Sequence, residues 1–204
     1  MILLHTCSND LQNNSKIYLF SLILSIFTFF ILLIPTYATL EAFFNTTIPI
    51  WIETPSIIGL YGCFNKLFDK FLWKCDAIRW FGLPKIPDLN GVWTVNILSS
   101  HNDGVQKQAE ATISQTFSKF CMVIKTDESV SQTTMAAIEL ENPIFRTITY
   151  TYICKPLANS KPTMNIHEGT GRLEILEGDT KLKGYYYSGR GRQNFGDIDL
   201  QKET

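Results

Sequence analysis

The hydrophobic rhythm of the chain changes near residue 90. Before it, apolar residues come in long runs; after it, they alternate with polar ones. From Asn90 onward the period is two, the spacing of strands that bury one face. It predicts eight strands, over residues 91–99, 107–117, 118–126, 130–141, 145–154, 166–176, 180–188 and 192–201. Turn-forming clusters separate most of them: His101-Asn102-Asp103-Gly104, Asn142-Pro143, Asn159-Ser160-Lys161-Pro162 and Glu177-Gly178-Asp179. Eight short strands in about 115 residues predict a small antiparallel β-barrel, because closure removes exposed edges. An open sandwich shares the same pattern.

Alternation also assigns inward faces. They are Trp93, Val95 and Ile97; Ala109, Ala111, Ile113 and Phe117; Thr134, Ala136, Ile138 and Leu140; and Arg146, Ile148, Tyr150 and Tyr152. Gly171, Leu173 and Ile175 follow, then Leu182, Gly184, Tyr186 and Ser188, and finally Arg192, Asn194, Gly196, Ile198 and Leu200. An eight-stranded barrel has room for packed side chains or for one small ligand. Alanines and glycines on the inner face leave volume, and inward arginines are costly without a partner. A cavity with an anionic occupant satisfies both.

The first 86 residues read as a membrane domain. Ile17 to Pro35 is a run of 19 residues without a charge, matching a span of ~20 residues, and the hydrophobic part of a signal peptide is shorter. Ile48 to Phe64 is the expected returning arm, giving a transmembrane helical hairpin over residues 17–37 and 46–64. Glu53 is its least orthodox residue, because a carboxylate at a helix centre costs ~3 kcal/mol. It is expected at the interface or in transmembrane assembly, with Thr54-Pro55 restarting the helix there. Residues 65–86 read as an amphipathic surface helix and a Pro-rich linker. Lys16 before the first span and Lys66, Lys70, Lys74, Arg79 and Lys85 after the second place both termini in the cytoplasm.

Charge sharpens this division. Residues 90–204 hold 12 Lys+Arg and 13 Asp+Glu, whereas the first 90 hold six of each. A net charge of −1 argues against a surface for duplex nucleic acid. The five cysteines, Cys7, Cys63, Cys75, Cys121 and Cys154, contain no CxxC pair and read as reduced packing thiols. His5, His101 and His167 are isolated, and no GxSxG or HExxH motif appears. Neither an enzyme nor a metal or cofactor site is indicated.

The candidate chemistry is concentrated in KLKGYYYSGRGRQNFGDIDL, Lys181 to Leu200. Tyrosines offer faces for planar rings and arginines grip phosphate. Outward tyrosines at 185 and 187 and solvated hairpin arginines are the plainer alternative.

Two spans, a Pro-rich linker, Leu89-Asn90-Gly91-x-Trp93, then Gly184-x-Tyr186-x-Ser188-x-Arg190 and Gly196-x-Ile198-x-Leu200 together resemble one family. It is the two-transmembrane, β-strand-rich effectors of CBASS anti-phage systems, associated with CD-NTase signalling. The resemblance implies a minimal β-barrel that binds a cyclic dinucleotide made by a cognate CD-NTase. It further implies a homo-oligomer that disrupts the bacterial inner membrane and kills the infected cell. The chemistry of such a ligand, two flat bases and two phosphates, suits Trp93, Tyr150, Tyr152 and Tyr186 for stacking, Arg146, Arg190 and Arg192 for phosphate, and Thr94 and Asn194 for base edges or ribose. A membrane-tethered lipocalin-like carrier of an apolar ligand and a non-catalytic interaction module are the alternatives.

Overall fold

The computed structural model describes residues 2–6, 23, 42, 50–76, 86–100, 106–140, 146–160, 164–189 and 194–203; for 2–6, 50–58 and 60 the description is of the backbone alone. The chain divides into two compact units, residues 1–10 with 76–204 and residues 11–75. The elements of the first unit are β1 (Ile2–Thr6), β2 (Gly91–Ser99), β3 (Gln106–Gln115), β4 (Phe120–Lys125), β5 (Ser129–Glu139), β6 (Thr147–Pro156), β7 (His167–Leu176), β8 (Lys181–Ser188) and β9 (Phe195–Lys202). The second contains α1 (Ile50–Lys70).

All nine strands form one antiparallel sheet, in the order β1-β5-β4-β3-β2-β9-β8-β7-β6. A further pairing of β5 with β6 joins its ends, so β2 to β9 close into an eight-stranded barrel. The eight strands predicted from period two are all present, with ends shifted by a few residues. Inward positions alternate as that period demands: Trp93 and Val95 are fully buried on β2, and Leu173 and Ile175 are buried on β7.

On β5 the phase breaks. A bulge between Thr133 and Met135 shifts the register, so Thr133 is buried while Thr134, expected inside, faces out and bonds to Thr151. A bulge adds a residue without a partner and bends the strand. Beyond it β5 leaves β4, whose pairing covers only Val130–Gln132, and β1 takes the vacated edge from Met135 to Glu139. The segment ILLHT thus completes the barrel wall as a ninth strand.

One end of the barrel is plugged by the chain entering it. Leu89 is wholly buried, its amide donating to Gln115 Oε1 at 2.9 Å. Asn90 pairs with the backbone of Gln115 in both directions, at 3.0 and 2.6 Å. Gly91 has a φ of 130°, a conformation that favours glycine. Trp93 Nε1 donates back to the Leu89 carbonyl at 3.0 Å.

The helical hairpin expected over the first 86 residues is not what the described residues show. They contain one long helix, α1, and none long and apolar enough to cross a membrane. It runs through Thr54-Pro55 without a restart and carries on into Asn65, Lys66, Asp69 and Lys70, merging part of the expected surface helix with the expected second span. That charged end dilutes its apolarity. A 3-10 turn, Leu72–Lys74, follows it. The first apolar segment, residues 17–37, lies outside the described residues except for Ile23, as do the connection 38–47 except Ala42, the linker 77–85, and the Glu53 side chain.

Gln115 is buried, and its removal strands the Leu89 amide without an acceptor. Gln115→Ala is expected to cost about 1–3 kcal/mol, read as a shift in the denaturant midpoint with an unchanged slope.

Candidate functional site

Moving along any strand away from the plugged end, the inward residues change character. On β6 they run Ile148, Tyr150, Tyr152, Cys154; on β5, Ile138, Ala136, Thr133, Ser131, Ser129; on β8, Leu182, Gly184, Tyr186, Ser188. Aliphatic packing gives way to hydroxyls and phenols, and the lumen opens into a cavity of about 150 Å³. Its wall includes residues from all eight strands of the ring, so the site is the open end of the barrel itself.

The cavity exists because three tyrosine rings lie against glycines. Tyr150 faces Gly171 and Tyr152 faces Gly169 across β6–β7, while Tyr186 faces Gly196 across β8–β9. A Cβ built on any of these glycines would overlap the facing ring. The glycines therefore accept the rings flat on the wall, where a larger residue would turn them into the lumen. Tyr152 Oη donates to the Tyr187 carbonyl at 3.3 Å. Burial, with Tyr152 and Tyr186 beside it, pushes the Tyr150 phenol far above its ordinary range, so it stays a neutral hydrogen-bond donor.

Around this aromatic wall sits a polar shelf from the β4–β5 turn. Thr126 Oγ1 lies 3.0 Å from Ser129 Oγ, and Thr133 Oγ1 donates to the Met122 carbonyl at 3.1 Å. At the rim Lys107 Nζ pairs with Glu128 at 2.9 Å. Cys154 and His167 face one another across β6–β7. Burial pushes the Cys154 thiol up, but hydrogen bonds with His167, Ser131 and Ser129 and the imidazole charge outweigh it, and the thiol lies below its ordinary value. A histidine read as isolated and a cysteine read as a packing thiol are thus neighbours. Only strand register, which composition does not carry, reveals it. Among the described residues no group of three metal-ligating side chains occurs.

The structure brings together Tyr150, Tyr152, Tyr186 and Asn194 on the cavity wall. It places Trp93, Thr94 and Arg146 elsewhere. Trp93 sits in the core of the plugged end, with its ring buried and its N–H already bonded. Thr94 is on the outer face, donating to Glu203 at 3.0 Å. Arg146 precedes β6 at the plugged end and pairs with Asp179 at 2.7 Å, which removes the need for an anionic ligand to neutralise it. Arg190 and Arg192 lie outside the described residues. Tyr185 and Tyr187 are exposed on the outer face, their rings edge to face at 5.3 Å. The hydroxyl shelf and the Cys154–His167 pair are additions that sequence reasoning missed.

Residues 84–202 match the family model of the Cap15 cyclic dinucleotide receptor domain. The chain belongs to this family. It is also similar to CD-NTase-associated protein 15 of Staphylococcus schleiferi, 29% identical over 153 residues, which cover 74% of this chain and 80% of that protein. CD-NTase-associated protein 15 of Yersinia aleksiciae is 26% identical over 144 residues, 71% of this chain and 68% of the relative. The matched region begins just ahead of the Leu89 plug and ends with β9, so the Cap15 receptor domain and the eight-stranded ring nearly coincide.

The glycine–tyrosine packing of this receptor domain makes a direct prediction. Gly171→Ala forces the Tyr150 ring off the wall, at an overpacking cost of about 1–3 kcal/mol. Thermal unfolding should register that loss, and a structure of the variant should show the ring standing in the lumen.

Proposed function

We propose that the chain is a CBASS effector whose barrel senses a cyclic dinucleotide at its open end. The carrying observation is the cavity itself, lined by three inward tyrosines and a shelf of hydroxyls in a domain of the cyclic dinucleotide receptor family. Phenol faces stack on bases without regard to sequence, and hydroxyls with Asn194 supply donors and acceptors for base edges and ribose. An apolar carrier would have no use for that polar shelf. The reading assigns no catalysis to the chain.

Two physical limits shape the proposal. The cavity is smaller than the ~300–1,000 Å³ that usually encloses a small molecule, so one base enters the lumen and the phosphates stay at the rim. The formal charges among the described lining residues, Lys107 and Glu128, already compensate each other. Phosphate neutralisation must come from elsewhere. Arg190 and Arg192 fall in sequence between Ser188 and Asn194, both of which line the cavity, and they are assigned this role. Ligand must favour an assembled form over the resting one to have any effect. The apolar segment 17–37 is assigned to the bacterial inner membrane, where oligomerisation of this chain with itself would disrupt the bilayer.

Titration calorimetry of the full chain in detergent against a panel of cyclic di- and trinucleotides tests the sensor. Micromolar or tighter binding to one member is expected, weakened about tenfold or more by Tyr152→Ala, the ~1–3 kcal/mol of one base–aromatic stack, and abolished by Arg190→Ala. Thr94→Ala should bind as the unsubstituted chain does. A folded chain that ignores the whole panel refutes the reading.

The membrane arm is tested in cells. Expression together with an active cognate CD-NTase should arrest growth and admit a membrane-impermeant dye. Arg190→Ala should abolish both while the protein stays in the membrane fraction. Arrest that persists in Arg190→Ala would separate toxicity from ligand sensing.

A further inference from the structure

The cavity wall carries a side-chain pair to which the function proposed above assigns no role. Cys154 and His167 are directly opposed on β6 and β7, and both line the lumen. Cys154 is in no disulfide. His167 Nδ1 lies 3.0 Å from the Asn165 carbonyl. A carbonyl only accepts, so that nitrogen carries a proton and the other ring nitrogen is left for the thiol. Ser129 and Ser131 also reach the sulfur by hydrogen bonds. Donors and an imidazole around a thiol are the surroundings that stabilise a thiolate, the nucleophilic form. Burial opposes ionisation, and the hydrogen bonds and imidazole prevail over it. The other titratable groups on the wall are Lys107, Glu128, Tyr150, Tyr152 and Tyr186. Lys107 and Glu128 are held in their own ion pair.

We propose that Cys154, with His167 as its base, is a modification site: a nucleophilic thiol inside the barrel that takes small, soft electrophiles and whose adduct fills the lumen. With iodoacetamide as the probe, the thiol proton passes to His167 and a sulfur electron pair forms the S–C bond. Iodide leaves with the electrons of the C–I bond. That the adduct also excludes the cyclic dinucleotide rests on the function proposed above; the reactivity of the thiol does not.

The full chain in detergent is alkylated from about pH 5 to about pH 10, and each cysteine is followed by peptide mass spectrometry. Cys154 is expected to reach half its maximal rate below the ~8.5 of an ordinary thiol. His167→Gln should raise that midpoint and slow the reaction at pH 7 about fivefold or more, because an ordinary thiol is only a few per cent ionised there. A midpoint at or above ~8.5 in the unsubstituted chain overturns the proposal, and that measurement needs no variant to fold. A saturating cyclic dinucleotide should slow Cys154 while leaving Cys63 and Cys75, both exposed, unchanged. Fast, His167-dependent labelling that no cyclic dinucleotide slows upholds the thiol and refutes the lumen as the ligand's seat.

Discussion

Where Tyr150 and Tyr152 lie against Gly171 and Gly169, a single methyl group decides whether the barrel has a lumen. Eight strands enclose a space that one layer of ordinary side chains fills. At the plugged end that happens: Leu89, Trp93, Phe120, Leu182 and Leu200 are buried to within a per cent or so of completely. At the open end, large aromatic residues alternate across the ladder with glycines, so their area lines the wall and does not cross the axis. Glycine in a strand interior costs roughly 0.5–1 kcal/mol in backbone entropy. The facing rings return part of it by covering the bare backbone.

The same division explains why the motif nearest the linker is not a ligand motif. In Leu89-Asn90-Gly91-x-Trp93 each residue serves the plug: one fills, one mates with the Gln115 backbone, one turns, and one bonds back. Tryptophan invites a reading as a stacking platform. Here Lys202 Nζ, 5.7 Å from the ring centroid, and complete burial leave no face for a base. Leu89, Asn90, Gly91 and Trp93 are all absent from the cavity wall, so this motif builds the floor of the barrel and not its lumen.

The barrel was legible because alternation survives in nearly every strand, and a period of two needs no tertiary information. What was illegible depended on departures from it or on pairing. Thr134 was assigned inward because nothing in Ser129 to Glu139 announces the bulge that puts Thr133 there instead. Ile2–Thr6, three apolar residues followed by His5 and Thr6, is too short to show a period, and it is a strand only because β5 offers an edge. Arg146 fits the alternation of β6 but lies ahead of its first residue, where Asp179 is within reach. Tyr150, Tyr152, Tyr186 and Asn194 were found on the cavity wall because their signal was purely local: an inward phase near one end of a strand. Cys154 and His167 are 13 residues apart across a turn, and only the β6–β7 register sets them side by side.

Register also locates the mechanical weak point of the wall. Between β4 and β5 only Val123–Lys125 faces Val130–Gln132, whereas every other neighbouring pair around the ring is matched over six residues or more. Fewer ladder bonds mean a smaller free energy of local opening. Ile124, Thr126, Glu128, Ser129, Ser131 and Thr133, which belong to this seam, also line the cavity. The chain enters at the opposite, plugged end, through Leu89 and Asn90. An occupant of the lumen therefore touches the least-paired part of the wall directly. The β5 bulge, with β4 on one side of it and β1 on the other, is the place where strand pairing has two partners along one edge. A shift of β5 by one position there would exchange inward for outward residues over half its length, so the two pairings on that edge hold the inward face of β5 in place.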